Sequence, residues 1–316
     1  MIKMIIYINP KSTFPQLHSD TIFGALCSVL SEFYPNFMED LIKDFEEKPP
    51  FIISSAYPYI QLEKSKKHLL PKINVYKNNI SNNPNIINNT KKYKKVKYLD
   101  EDVFLDLIQE KITSNDIINN ISDYTIKSNI LTKEDLVDYN YKKIVQHNNI
   151  IHRINDSSLN VFYTEGIQFK NMGLYFILKI NDEKYEKILK TGLKLLEDRG
   201  FGANISTGHG QFTYSIDENT NLEEKLLNNK GQSFVTLSRY IPTSHEIKKI
   251  NKNSSYSLSS KRGINSNGEL KKKINFFEEG SIFTYKQDFY GRIIDVSTIT
   301  PALEYGYAFP IKIGGK

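Results

Sequence analysis

The chain has 316 residues, 39% of them hydrophobic and 12% aromatic, enough to bury a sizeable core and more readily two domains than one. Lysine and arginine exceed aspartate and glutamate by 42 to 36, a formal charge of +6 that fits a polyanionic partner without requiring one. A single cysteine, Cys27, excludes an internal disulfide framework and sits in an apolar helical pattern as a small hydrophobe.

The apolar run at residues 1–8 is too short for a signal-peptide core and lacks a small-residue cleavage site. No later segment reaches membrane-spanning length, so a cytoplasmic, reducing setting and no membrane partner are expected. Residues 2–8 read as a first β-strand closed by Asn9-Pro10. Ser19-Asp20 then offers an N-cap for a helix bearing Ile22, Phe23, Leu26, Val29, Leu30 and Phe33. A second strand fits residues 51–55, past the Pro49-Pro50 break. The next strong strand is 173–180, followed by a helix carrying Tyr185, Ile188, Leu189, Leu193 and Leu196, and a strand at 211–216.

In order these pieces spell β-α-β, a long insertion over about residues 60–165, then β-α-β, the ferredoxin-like (RRM-like) arrangement of an α+β chain. Within the insertion, the Asn-rich tract 78–85 has too little apolar content to pack and reads as a loop, while Val103, Phe104, Leu107 and Ile108 mark a short amphipathic helix. Residues 217–230 are polar and acidic, a connector with room for one helical turn. Strand-like runs follow at 234–240, 256–260, 281–285, 292–296 and 305–313, with Pro310 arguing for an edge position. The expected division is 1–217 for the first domain, with the insertion including a β-hairpin, and 231–316 for a smaller β-rich ferredoxin-like domain. No fixed-period repeat indicates a solenoid.

The stretch Arg199-Gly200-Phe201-Gly202-Ala203-Asn204-Ile205-Ser206-Thr207-Gly208-His209-Gly210 lies between a helix and a strand. Its four glycines permit positive φ and close approach, so successive backbone N–H groups can turn toward an anion. Asn204, Ser206 and Thr207 add neutral donors, and Arg199 a charge or stacking plane. The spacing fails a Walker loop, and the helix-to-strand order fails a dinucleotide fingerprint. Arg-Gly-Phe-Gly matches the start of the RNA-recognition-motif signature, but Ala203 stands where an aromatic is expected. A glycine-rich turn with no ligand remains the alternative.

A glycine-rich loop after the second helix of such a fold resembles the signature of the RAMP superfamily, the RNA-binding proteins that build CRISPR effector complexes. The segment His18-Ser19-Asp20-Thr21-Ile22-Phe23-Gly24-Ala25-Leu26 is similar to the first-helix segment of the 5′-tag-binding subunit of the type III-A (Csm) complex. Residues 145–169, with His152, Arg153 and Ile154, and the stretches 291–296 and 305–309 agree with it; residues 60–140 do not contribute. The resemblance implies a non-catalytic subunit that grasps the repeat-derived 5′ tag of the guide RNA (crRNA). It also implies that the subunit bridges a large polymerase/cyclase-like subunit to the backbone RAMP subunit, touching target RNA only indirectly. It further implies a β-hairpin within 145–169 beside the RNA, with Arg153 as a phosphate or stacking contact.

His18 invites an acid–base role, since related RAMP nucleases use a histidine near this helix, but no second acid–base group accompanies it. A helix-start contact, structural or to RNA through His18 and Ser19, is the preferred reading, with Asp20 as a cap. The other histidines, His68, His147, His209 and His245, form no zinc constellation with Cys27; no metal, no cofactor and no catalytic residue is expected. His209 can hydrogen-bond RNA from the glycine loop. Two basic clusters, 91–97 and the lysines from Lys248 to Lys273, suit phosphate or a solvated face, and Lys261 with Arg262 is the favoured pair. Two rivals stay open: a metal-independent endoribonuclease acting on CRISPR transcripts, and a free-standing ferredoxin-like RNA-binding protein.

Overall fold

The computed structural model describes residues 2–34, 36–74, 83–136, 138–151, 158–202, 205, 208–218, 221–250, 253–265 and 268–314. The chain opens with β1 (Ile2–Pro10), α1 (Ser19–Phe33), α2 (Phe37–Glu47), β2 (Phe51–Ile53), β3 (Tyr57–Gln61) and β4 (Lys66–Pro71). Next come α3 (Pro84–Lys95), β5 (Tyr98–Asp100), α4 (Glu101–Ile108), α5 (Ser114–Asn119), β6 (Thr125–Lys127) and β7 (Ile130–Thr132). A long hairpin, β8 (Asn140–Ile151) and β9 (Ser158–Lys170), leads into β10 (Met172–Ile180), α6 (Lys184–Arg199), β11 (Phe212–Asp217) and α7 (Asn221–Leu227). The C-terminal part holds β12 (Ser233–Thr236), α8 (Ser244–Lys249), β13 (Leu258–Lys261), β14 (Ile274–Phe277), β15 (Ile282–Phe283), β16 (Ile293–Asp295), β17 (Leu303–Tyr305) and β18 (Pro310–Ile313).

The α+β class holds. Among the described residues a nine-stranded mixed sheet runs β11-β1-β10-β3-β4-β5-β7-β6, with β2 also on β10, and in it only β5 and β7 pair in parallel. Met4, Ile5, Ile6, Tyr7 and Ile8 are all buried, so β1 is covered on both faces and needs no polar alternation. Small two- and three-stranded sheets make the C-terminal part β-rich. Its residues Val235, Leu237, Tyr305, Tyr307, Phe309 and Ile311 join the same core as β1 and α1. The Phe23 and Tyr305 rings lie 5.1 Å apart, and the Tyr305 hydroxyl accepts from the Ile53 amide at 2.9 Å. Among the described residues no helix is long and apolar enough to cross a membrane.

Several expectations are corrected. The strand read at 51–55 stops at Ile53, and the chain bends into a separate strand at Tyr57. The insertion also holds strands that were not expected: β4 to β7 extend the main sheet, so their short apolar stretches are satisfied by pairing that spacing does not disclose. Residues 78–82 of the Asn-rich tract lie outside the described residues, but Asn83 caps α3 by accepting from the Asn85 amide, and Pro84 occupies the first turn, where its missing N–H costs nothing. The acidic connector holds two helical turns, anchored by buried Leu222 and Leu226. α8, with a Thr243/Glu246 capping box, and strand β14 were not read from the sequence. Tyr256 precedes β13, and Pro310 starts β18 at the edge of its sheet.

Candidate nucleic-acid interface

The segment after β1 is the hinge of the site. Phe14 exchanges backbone hydrogen bonds with Ile167 of the β9 stem, 2.9 and 2.8 Å, while the Lys11 amide donates to the Gln211 carbonyl at 2.8 Å. The Gly210 amide donates to the Thr13 carbonyl at 2.9 Å, and the Gln211 amide to the Ser12 hydroxyl at 3.2 Å. Glycine loop, residues 11–14 and hairpin stem therefore converge, although nearly two hundred residues separate the first from the second. Lys11, Gly202, Gly208, Lys142, Lys143 and Gln168 are exposed around this convergence, and His209 is half-buried. Gln168 reaches Thr13 Oγ1 at 3.5 Å and Lys143 pairs with Glu165 at 2.5 Å.

The loop uses its glycines for two separate purposes. At Gly210, with φ 72°, a Cβ would stand 1.8 Å from the Phe201 carbonyl oxygen, so the close approach itself demands glycine. At Gly208, φ is 82° but the space is open, so only the backbone conformation favours it. The amides of Gly200, Phe201, Gly208 and Gly210 donate to Leu196, Gly210, Ile205 and Thr13. These four groups hold the loop together, which corrects the expectation that they turn toward an anion. Phe201 is buried against Phe14 and Phe212, with ring centroids 5.9 and 5.0 Å away, so its ring belongs to the core. Arg199 makes a two-pronged pair with Glu32, both contacts 2.7 Å, and the hydrogen bonds hold the Glu32 carboxyl below the usual carboxylate range. Asn204, Ser206, Thr207 and Arg153 lie outside the described residues.

His18, Ser19 and Lys261 belong to a second cluster, at the junction of α1 with the C-terminal part. His18 is itself the N-cap residue of α1, without a side-chain cap. Its Nδ1 lies 2.8 Å from Glu279 Oε1, which also accepts from the Ser55 hydroxyl at 2.5 Å. Burial pushes the Glu279 carboxyl up, but the His18 hydrogen bond and charge, with Ser55 and Arg239, hold it net below its usual value. Ser19 Oγ accepts from the Arg239 amide at 3.2 Å.

Asp20 caps nothing beyond the neighbouring Thr21: it is buried, 2.9 Å from Arg239 Nη1 and ion-paired to Lys261, which also pairs with Glu304. Burial opposes its charge, yet Arg239 and Lys261 hold its carboxyl far below the ordinary aspartate range. The capping expectation fails because both cations come from more than two hundred residues away. Arg262 turns outward, donating from Nε to the Lys271 carbonyl at 3.0 Å. Among the described residues no group of three or more His, Cys, Asp or Glu is placed to hold a metal ion.

Sequence reasoning passed over two residues. His147 and Tyr163 face each other across β8 and β9 with ring centroids 4.7 Å apart, and Tyr163 is 62% exposed. A solvent-facing aromatic pair on a hairpin is a platform on which bases can stack. Their cross-strand pairing is invisible until the hairpin register is known.

Comparison with known proteins gives a consistent result. Residues 2–213 match the RAMP superfamily, and residues 229–313 match the CRISPR Csm4 C-terminal domain. A protein of Methanocaldococcus jannaschii described as "CRISPR system Cms protein Csm4" is 28% identical over 332 residues, covering 89% of this chain and 81% of that protein. Among solved structures, a Csm3–Csm4 subcomplex of the type III-A CRISPR-Cas interference complex is similar with a TM-score of 0.71 at 21% identity, covering 98% of this chain and 99% of that one. A Csm1–Csm4 cassette in complex with pppApA aligns with a TM-score of 0.61 at 17% identity, covering 100% and 99%.

Proposed function

The chain belongs to the RAMP superfamily and ends in a Csm4 C-terminal domain, and from that premise we propose that it is the crRNA-holding subunit of a type III-A CRISPR complex. In this reading it grips the repeat-derived 5′ tag without catalysis and bridges a large polymerase-like subunit to the backbone RAMP subunit. The observation that carries the proposal is the convergence of glycine loop, residues 11–14 and hairpin stem, with Lys11, Lys142 and Lys143 exposed around it. The similar solved chains come from Csm3–Csm4 and Csm1–Csm4 assemblies, which supports the two protein partners.

The β1-α1-β2 and β10-α6-β11 units, with strands in the order β11-β1-β10-β2, support a ferredoxin-like first domain over 1–217 with the insertion inside it. Residues 231–316 form the second, smaller unit in this reading. The endoribonuclease rival asks His18 to move protons for RNA cleavage. Its contact with Glu279, in a network that ties α1 to the C-terminal part, favours a positioning role instead.

Purification of the tagged chain from its host, with sequencing of co-purifying RNA and identification of co-purifying proteins, tests the proposal. RNAs sharing one repeat-derived 5′ end, recovered with a large polymerase-like protein and a backbone RAMP protein, support it. Recovery of the chain alone, or with unrelated RNAs, contradicts it.

A further inference from the structure

The lysine-rich end of α3 plays no part in the interface above, yet it borders an open pocket of about 640 Å³. Asn89, Lys92 and Lys95 recur at three-residue spacing and so share one face of α3. Opposite them stand Ser122, Tyr124 and the Ser128-Asn129 turn. A helix C-terminus repels anions, but here the partly buried Lys72 answers it, with Nζ 3.1 Å from the Tyr93 carbonyl and 3.3 Å from that of Lys94. Lys92 and Lys95 are exposed, and among the described residues no carboxylate pairs with either. The pocket wall is fixed by its surroundings: the Lys97 amide donates to the Asn129 carbonyl at 2.7 Å, and Asn89 Nδ2 to the Ile118 carbonyl at 2.9 Å.

Position decides what such a pocket would hold. The Ser128 hydroxyl donates to Asn140 Oδ1 at 3.0 Å, and Asn140 is the first residue of β8, opposite Lys170. Ile167, which bonds to Phe14 beside the glycine loop, lies three residues from Lys170, about 10 Å along the strand. One hairpin stem is therefore flanked by the glycine-loop surface on one side and the lysine pocket on the other. We propose that the pocket is a second contact for the phosphodiester backbone of the same single-stranded RNA, with Lys92 and Lys95 meeting phosphates a few nucleotides from the glycine loop. This inference rests on the RNA-binding reading.

RNA affinity of the full-length chain, measured between about 50 and 200 mM salt for the wild type, Lys92→Gln/Lys95→Gln and Lys92→Arg/Lys95→Arg, tests it. Each phosphate contact on a single strand contributes about 0.7 to the slope of log affinity against log salt. The glutamine pair should lower the slope by about 1.4 and weaken binding about tenfold near 150 mM salt, while the arginine pair keeps the wild-type slope. An unchanged slope in the glutamine pair, with wild-type binding intact, overturns the pocket assignment and leaves the RNA reading standing. If that unchanged slope comes with loss of a co-purifying protein, the pocket faces an acidic protein surface, and the assignment to RNA is likewise wrong. A wild-type chain that binds no RNA removes both. Both lysines are exposed, so equal melting temperatures for the three proteins are the expected control.

Discussion

The Gly210 amide donates to the Thr13 carbonyl at 2.9 Å, and this bond seats the glycine loop on the segment that also carries the hairpin stem. Two glycines of that loop should respond differently to alanine. Gly208→Ala meets open space and carries only the strain of a positive φ, about 1–2 kcal/mol. Gly210→Ala drives a methyl group into the Phe201 carbonyl and must displace the loop. The expected outcome is a Gly208→Ala protein that melts a few degrees lower and retains guide RNA, and a Gly210→Ala protein that loses most of its RNA retention. Melting curves and quantification of co-purified RNA check both.

The buried Asp20 carboxylate sits between the partly exposed Arg239 and Lys261, and removing it takes a charge-assisted hydrogen bond from each, while Lys261 keeps Glu304, at a cost of about 1.5–3 kcal/mol. Asp20→Asn should therefore be markedly less stable at neutral pH. Because the folded-state value of Asp20 is depressed, its contribution is fully present above the unfolded value near pH 4 and fades as pH falls below it. Urea unfolding at several pH values should show a constant gap between wild type and variant from about pH 5 to 8 and a narrowing gap below about pH 4. A gap that stays flat in acid contradicts the buried-ion account.

Tyr163 offers an exposed ring beside His147 on the hairpin. Loss of one base-stacking aromatic costs about 1–3 kcal/mol of single-strand binding. Tyr163→Ala should weaken guide-RNA binding by roughly five- to a hundredfold without altering the melting temperature. Equal affinity in a filter-binding titration removes Tyr163 from the interface.

Arg199 is held by Glu32, so its charge is already answered on the protein surface. If it also touches RNA, Glu32→Gln frees the guanidinium and should leave RNA binding equal or tighter, whereas Arg199→Ala should weaken it and flatten its salt dependence by about 0.7 in slope. Equal binding by both variants makes the pair purely structural.

Much of the architecture was legible because strong apolar patterns carry it. The β1, α1, β10, α6 and β11 elements all follow from runs such as Gly173 to Ile180 that have few alternatives. Short strands such as β5 and β7, three residues each, owe their existence to neighbours in the sheet and leave no periodic signal. The site divides the same way. The glycine loop announced itself by composition, but the burial of Phe201 depends on Phe14 and Phe212, which only tertiary packing brings together. Asp20 looked like a cap because its local context is a helix start, while the cations that engage it are more than two hundred residues away.

Contact between this chain and the 5′ tag is read directly by photo-crosslinking of the assembled complex carrying a guide RNA with a photoreactive nucleotide in its 5′ tag, followed by mapping of the crosslinked peptides. Crosslinks to residues 9–15, 199–211 and the hairpin strands between 140 and 170 are expected. Crosslinks confined to the C-terminal part, or absent from this chain while present on its partners, would contradict the proposed interface.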